Sequence, residues 1–389
     1  MVYITAKQDR HQRQMTIDEL FSAMCDANKF LKHSTPNTRT DIRYRPSREL
    51  MNDLDIVGMI HKLNDFNRLT AHLREVEDRA SLFKTFYKPK SSGGLRRIDA
   101  PKPELMAALR VLKMIFEEDF RALYHTSAFA YVRHRSTIDC LKRHQAHQSK
   151  WFVKFDLHDF FGSTTKEFVM KQLAMIFPFS EVMNVPSGRK ALETALDLAF
   201  LNGGLPQGTP ISPMLTNLIM IPIDHELSNK LRSFPVVGKD EEDHTEYFVY
   251  TRYADDFIIT SRYDFDYKKV QEYILDVLKK FEAPFSLNTK KTRYGSTSGK
   301  NWNLGLMFNA DNQITVGHKR KKEFQKMLYG YVTSARNENR WAREEIQHLQ
   351  GLYSYYHMVE PEVFDRIITF FNSKYNVNVL NMIKTDLAV

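Results

Sequence analysis

The sequence predicts an α+β fold in which short apolar strands are flanked by amphipathic helices. Three observations lead there. Several stretches carry apolar residues at three- and four-residue spacing, as at Leu54, Val57, Ile60 and Leu63, which is the helical period. Other runs are apolar, of strand length, and rich in aromatic and β-branched residues, such as Trp151–Leu157 (WFVKFDL) and Tyr247–Tyr253 (YFVYTRY), as buried strands are. Finally, Phe86–Asp99 (FYKPKSSGGLRRID) reads as two strands joined by a Gly- and Ser-rich turn, a basic β-hairpin.

The elements follow in chain order. Residues 1–45 are polar, with one helix from about Thr16, an N-cap with Glu19 three residues on, through Leu31. Ser34–Pro46 reads as a loop or arm, and residues 47–86 as helical. After the basic hairpin, residues 103–124 return to helical periodicity, and WFVKFDL forms a strand with Asp156 near its end. Residues 166–176 and 188–201 are helical. Gly203–Pro213 (GGLPQGTPISP) is a Gly/Pro-rich turn leading into a helix from Met214 to Leu231. Pro235–Glu246 is a polar surface loop. Strands Tyr247–Tyr253 and Phe257–Ser261 flank Ala254-Asp255-Asp256, which puts the acidic pair at a hairpin tip. A helix over Tyr267–Phe281 precedes short strands about Phe285–Leu287 and Trp302–Phe308, and the chain is helical from about 318.

Composition narrows the class. A length of 389 residues suits two or three compact units, and 42% hydrophobic residues can fill their cores. The net charge of +9, from 56 Lys+Arg against 47 Asp+Glu, fits a polyanionic partner without requiring one. Only Cys25 and Cys140 are present, which excludes a disulfide framework and a four-cysteine zinc site. The N-terminus is polar, and no apolar run is long enough to span a bilayer. The expectation is a cytoplasmic protein without a membrane partner. Cys140, His144 and His147 have a loosely zinc-like spacing but no evident fourth ligand. Exposed histidines on a basic helix are the preferred reading.

Two adjacent carboxylates at a hairpin tip repel and raise each other's pKa unless something neutralises them. A divalent cation does so. Asp156 supplies a third carboxylate from another apolar strand. If the strands are neighbours, the three converge on an all-oxygen site suited to Mg²⁺. Two such ions can stabilise the attacking and leaving oxygens of a phosphoryl transfer. Taken alone, an Asp-Asp pair is more often a solvated turn.

The order and wording of the segments decide between these readings. Phe155-Asp156-Leu157-His158-Asp159-Phe160-Phe161, Leu205-Pro206-Gln207-Gly208-Thr209-Pro210-Ile211-Ser212-Pro213 and Tyr253-Ala254-Asp255-Asp256 closely resemble motifs of reverse transcriptases. The likeness is to bacterial ones of the retron, group II intron and defence-associated kinds. The basic hairpin, Ala128–Ser136, Asn288–Thr292 and Asn303–Leu306 match in the same order, so that the resemblance spans roughly 85–310.

The resemblance implies a right-hand polymerase with fingers, a palm of antiparallel sheet and helices, and a helical thumb. Its segments would be an N-terminal extension (1–85), fingers (86–150), palm (151–310) and thumb (311–389). It implies Asp156 and Asp255 as principal ligands of two Mg²⁺ ions, with Mn²⁺ an alternative, Asp256 as the third carboxylate and the Leu157 carbonyl as a minor ligand. Phe161 falls where the family places a bulky side chain against the sugar 2′ position, which selects dNTPs; core packing is the alternative. Lys90 and Arg96 would meet the incoming triphosphate, with Arg97 a substitute for Arg96. Gln207 and Gly208 would lie beneath the nascent base pair. Lys291 is a candidate general acid toward pyrophosphate. Arg133 and Arg135 would contact the template, and Lys319, Arg320, Lys321 and Lys322 the duplex phosphates. Tyr353, Tyr355 and Tyr356 suit either stacking or packing, packing being favoured.

Subtype is less determined. The Ser-Pro ending at Pro213 argues against diversity-generating enzymes. Gln145-Ala146-His147 and Ile314-Thr315-Val316-Gly317 match retron elements only partly. The expectation is a defence-associated enzyme that copies a dedicated non-coding RNA into DNA, with a further protein subunit as a candidate partner. Alternatives are a template-independent or protein-primed polymerase of the abortive-infection type, a retron enzyme, and an RNA-binding scaffold with a vestigial site.

Overall fold

A computed structural model of the chain describes residues 55–90, 93–119, 124–233, 236–237, 243–244, 247–296, 305–336 and 341–388. The helix expected over Thr16–Leu31 and the arm after it lie outside these residues.

Along the chain run α1 (Ile56–Leu69), β1 (Phe83–Pro89), β2 (Leu95–Pro101), α2 (Pro103–Met114), α3 (Thr137–Ala146) and β3 (Trp151–Asp156). Next come α4 (Lys166–Leu173), α5 (Phe179–Asn184), α6 (Pro186–Leu196), α7 (Ser212–Ile219), α8 (Ile221–Ser233), β4 (Val249–Tyr253), β5 (Asp256–Ser261) and α9 (Tyr267–Lys280). The last elements are β6 (Arg293–Ser296), β7 (Met307–Phe308), β8 (Ile314–Thr315), α10 (His318–Arg336), α11 (Arg343–Val359), α12 (Pro361–Tyr375) and α13 (Val379–Ala388). Among the described residues, no helix is long and apolar enough to cross a membrane.

The chain divides into two compact units. One comprises residues within 1–132, 157–229 and 269–288, and the other residues 133–156, 230–268 and 289–389. In the first, the hairpin β1–β2 pairs Lys88 with Arg96 and Phe86 with Ile98. The helix expected from Met214 to Leu231 is two helices, and α8 carries Pro222 in its first turn. Proline lacks the N–H that would continue the ladder, and the first helical turn is where that loss is tolerated.

The second unit holds a four-stranded antiparallel sheet, in the order β4-β5-β3-β6. Its interior strand β3 is apolar almost throughout because both of its faces are covered, and Phe152, Val153 and Phe155 are buried. The register sets Val153 against Ile259, Phe155 against Phe257 and Asp156 against Asp256. Helix α3 packs beside β4 and starts at a capping box: Asp139 N donates to Ser136 Oγ, and Ser136 N donates to the Asp139 carboxylate. The helices α10–α13 share one core, including Phe324, Leu328, Tyr331, Leu349, Tyr356, Phe364 and Phe371. Glu360, between α11 and α12, accepts from Thr315 Oγ1 and Val316 N and ion-pairs with Lys321, tying the bundle to β8.

Candidate active site

The register of the sheet in the second unit converts separated sequence motifs into one acidic end. Tyr253 pairs with Asp256 across β4 and β5, so Ala254 and Asp255 form the tip of a tight turn. Ala254 takes a left-handed φ of 57° there. Asp156, opposite Asp256 at the end of β3, is only 7% exposed.

Burial pushes the Asp255 carboxyl up to about 6, and the neighbouring Asp256 and Asp156 carboxylates add to the shift. Asp256 is also raised by burial, but Lys154 opposes this. Lys154 Nζ lies 2.6 Å from Asp256 Oδ2. Lys291 Nζ donates to both oxygens of Asp156, at 2.8 and 3.1 Å. Two ammonium groups thus neutralise two of the three carboxylates, whereas Asp255 forms no ion pair among the described residues.

Among the described residues, no group of three or more His, Cys, Asp or Glu side chains is arranged as a ready metal cage. The chemistry of the donors still fits a divalent ion. All are carboxylate oxygens, and burial first, then repulsion from Asp256 and Asp156, raises Asp255. A hard cation that takes oxygen ligands relieves that repulsion.

Three supporting side chains escaped the sequence reading. Lys154 sits two residues before Asp156 and therefore on the same strand face; a lone lysine within WFVKFDL was its signal. Arg252 is fully buried in β4 and donates from Nη1 to the Ala254 carbonyl at 3.1 Å, bracing the turn. His144 corrects the expectation of exposed histidines. It is fully buried, with Nδ1 2.7 Å from Thr260 Oγ1 and Nε2 2.8 Å from Thr251 Oγ1. Both ring nitrogens are occupied, and burial pushes its pKa down to about 3. His144 therefore ties α3 to both strands of the acidic hairpin.

In the first unit, the basic hairpin β1–β2 and the Pro-Gln-Gly turn are stitched together. Asp99 N donates to the Gln207 carbonyl at 2.7 Å. Gly208 has φ 123°, and a Cβ there would lie 2.9 Å from Ile98 Cγ2 and 3.0 Å from the Asp99 carbonyl oxygen. The glycine admits the backbone of β2 at close range. Strand alternation puts Lys88 and Arg96 on the same hairpin face as Ile98, and Arg97 on the opposite face. Arg97 is engaged there, with Nε 2.9 Å from Asp99 Oδ1. Lys90 is exposed at the turn, its N–H donating to the Gly94 carbonyl at 2.9 Å. Leu157 bridges to Leu287, and the Phe161 carbonyl accepts from Leu205 N at 3.0 Å.

The basic positions outside the acidic end separate into two groups. Arg133, Lys319 and Lys322 are exposed. Arg135 is partly buried, and burial with the nearby Arg143 lowers its pKa. Arg320 turns inward to donate to the Gly305 carbonyl at 2.9 Å, and Lys321 is paired with Glu360. Tyr356 is buried in the helical core, and Tyr353 stacks on Phe324 at 6.4 Å.

An antiparallel sheet with carboxylates at one end, together with a hairpin and a helical bundle, has the features of a right-hand polymerase. The chain belongs to the reverse transcriptase (RNA-dependent DNA polymerase) family, which matches residues 88–326, and is an RNA-directed DNA polymerase. It is 25% identical over 314 residues to the retron Ec83 reverse transcriptase of Escherichia coli, covering 78% of this chain and 90% of that one. It is 29% identical to the retron Mx162 reverse transcriptase of Myxococcus xanthus, over 76% of this chain and 61% of that one. Among solved structures, apo telomerase from Candida tropicalis is similar at 14% identity and TM-score 0.43, covering 88% of this chain and 67% of that one.

Proposed function

We propose that the chain joins dNTPs on an RNA template by two-metal phosphoryl transfer, with Asp156, Asp255 and Asp256 as the metal-holding carboxylates. The observation that carries this reading is the register that sets Asp156 opposite Asp256 while Asp255 sits on the adjoining turn. Divalent ions bound there would stabilise the attacking and leaving oxygens. The chain's own groups position and screen. Lys154 and Lys291 hold Asp256 and Asp156, and Arg252 fixes the turn that presents Asp255. Lys291, held beside Asp156, is the candidate to protonate the departing pyrophosphate. The motif resemblance supports Lys90 and Arg96 for the triphosphate, Gln207 and Gly208 for the nascent base pair, and Phe161 for the sugar edge. Fingers to about 150, palm to 310 and thumb beyond is the division that suits these roles.

A dedicated non-coding RNA as the template rests on the motif resemblance. A role in antiphage defence rests on the resemblance alone. The test supplies purified protein with single dNTPs, with and without RNA, and sequences the nucleic acid that co-purifies. The reading expects incorporation only of the dNTP that complements the RNA, and one recurrent RNA–DNA species. Product from one dNTP without RNA would replace it with the template-independent alternative.

A further inference from the structure

Phe161 has a backbone that cannot shift easily. Its carbonyl accepts from Leu205 N at 3.0 Å and Thr164 N at 3.2 Å. The next residue, Gly162, lies so close to Gly204 that a Cβ on Gly204 would stand 2.0 Å from the Gly162 carbonyl oxygen. The ring is less constrained. It meets Phe160 edge-on at 5.8 Å and, on another element, Tyr131 edge-on at 6.5 Å.

Tyr131 is an unusual residue in its own right. It holds a left-handed φ of 60° and is 54% exposed. A bulky side chain in that backbone region costs about 1–3 kcal/mol and persists only where its surroundings impose it. One such restraint is Asn217, buried on α7, whose Nδ2 donates to the Ala130 carbonyl at 2.8 Å and so holds the peptide that leads into Tyr131. Ala128, Phe129 and Ala130, which precede Tyr131, are buried. Helix α7 thus fastens a strained loop, and that loop sets a tyrosine ring edge-on to Phe161. Ordinary core packing does not account for this, because Tyr131 is an exposed residue.

We propose that Tyr131 is a positioning residue for sugar selection, bracing the Phe161 ring against the approach of a ribose 2′-hydroxyl. The proposal rests on Phe161 being the sugar gate. Tyr131 acts through Phe161 and takes no part in the chemistry.

The test measures kcat/KM for one dNTP and its matching rNTP in wild type, F161A, Y131A, Y131F and the Y131A/F161A double variant. An edge-to-face aromatic pair is worth enough to predict a loss of about 2- to 12-fold in dNTP/rNTP selectivity for Y131A. The loss should arise from better rNTP use, with dNTP kcat unchanged. Y131F, which keeps the ring, should match wild type. In the F161A background, Y131A should add nothing. Y131L keeps apolar bulk without the ring edge and serves with the same expectation if Y131A does not fold. Unchanged selectivity in F161A would overturn the gate itself. Relaxed selectivity in F161A with none in Y131A or Y131L overturns the role of Tyr131 alone. So does an equal loss for dNTP and rNTP, or a further relaxation on adding Y131A to F161A.

Discussion

Substituting Asp255 by Asn tests the electrostatics of the acidic turn without changing its shape. The carboxyl is raised from 3.8 to about 6, mainly by burial and then by Asp256 and Asp156. Two pH units correspond to roughly 3 kcal/mol between its protonation states. Residual exposure lowers the usable figure to about 1–3 kcal/mol. The folded state holds this proton more tightly than the unfolded chain, so the fold loses stability as pH rises from the unfolded value of 3.8 through the folded value of about 6. D255N removes the charge. In chelator at pH 7.5 the variant should therefore be more stable than wild type by about 1–3 kcal/mol, a rise of roughly 2–10 °C in melting temperature for a unit of this size. The gap should be absent near pH 4, open between about 4 and about 6, and stay constant above. Circular-dichroism melts across that range measure it. A variant no more stable than wild type at pH 7.5, or a gap independent of pH, would refute the reasoning.

Other substitutions probe the supports. Lys154→Gln leaves the Asp256 carboxylate without its ion pair and should cost about 1–3 kcal/mol in urea denaturation, with K154R recovering most of it. Arg252→Lys removes the fork that reaches the Ala254 carbonyl; about a tenfold fall in kcat with KM for dNTP unchanged is expected from steady-state kinetics, given the worth of a charge-assisted hydrogen bond. Gly208→Ala must fit a Cβ 2.9 Å from Ile98 Cγ2 at φ 123°, and melting should show a loss of roughly 1–3 kcal/mol together with weaker dNTP binding.

The strands that carry the carboxylates were legible because they are buried on both faces, which makes WFVKFDL and FIIT near-continuous apolar runs. The tip of the hairpin followed from its two flanks. The edge strand Arg293–Ser296 was not read, since a half-exposed Arg-Tyr-Gly-Ser segment carries no strand pattern of its own. Phe285–Leu287, expected as a strand, contributes only the Leu157–Leu287 bridge. The expected loop Pro235–Glu246 contains a two-residue strand pair, Val236–Val237 with Asp243–His244, too short to have a period. Within the site, residue types were readable and partners were not. Nothing in the sequence says that Lys154 lies against Asp256, or that His144 is buried between two threonines. Arg320 and Lys321 belonged to an evident basic cluster, yet a helix turns successive residues through about 100°, so the cluster divides between solvent and interior.

The most direct measurement of the central claim is RNA-templated dNTP incorporation by wild type and by D156N and D255N, each checked for folding by its melt. The acidic end of the sheet, if it is the polymerase site, should make wild-type product follow the RNA sequence and require a divalent ion. Either substitution should then reduce incorporation by roughly a thousandfold or more, as for the loss of a group that acts in the transition state. Template-directed synthesis that survives in folded D156N or D255N would place the chemistry elsewhere.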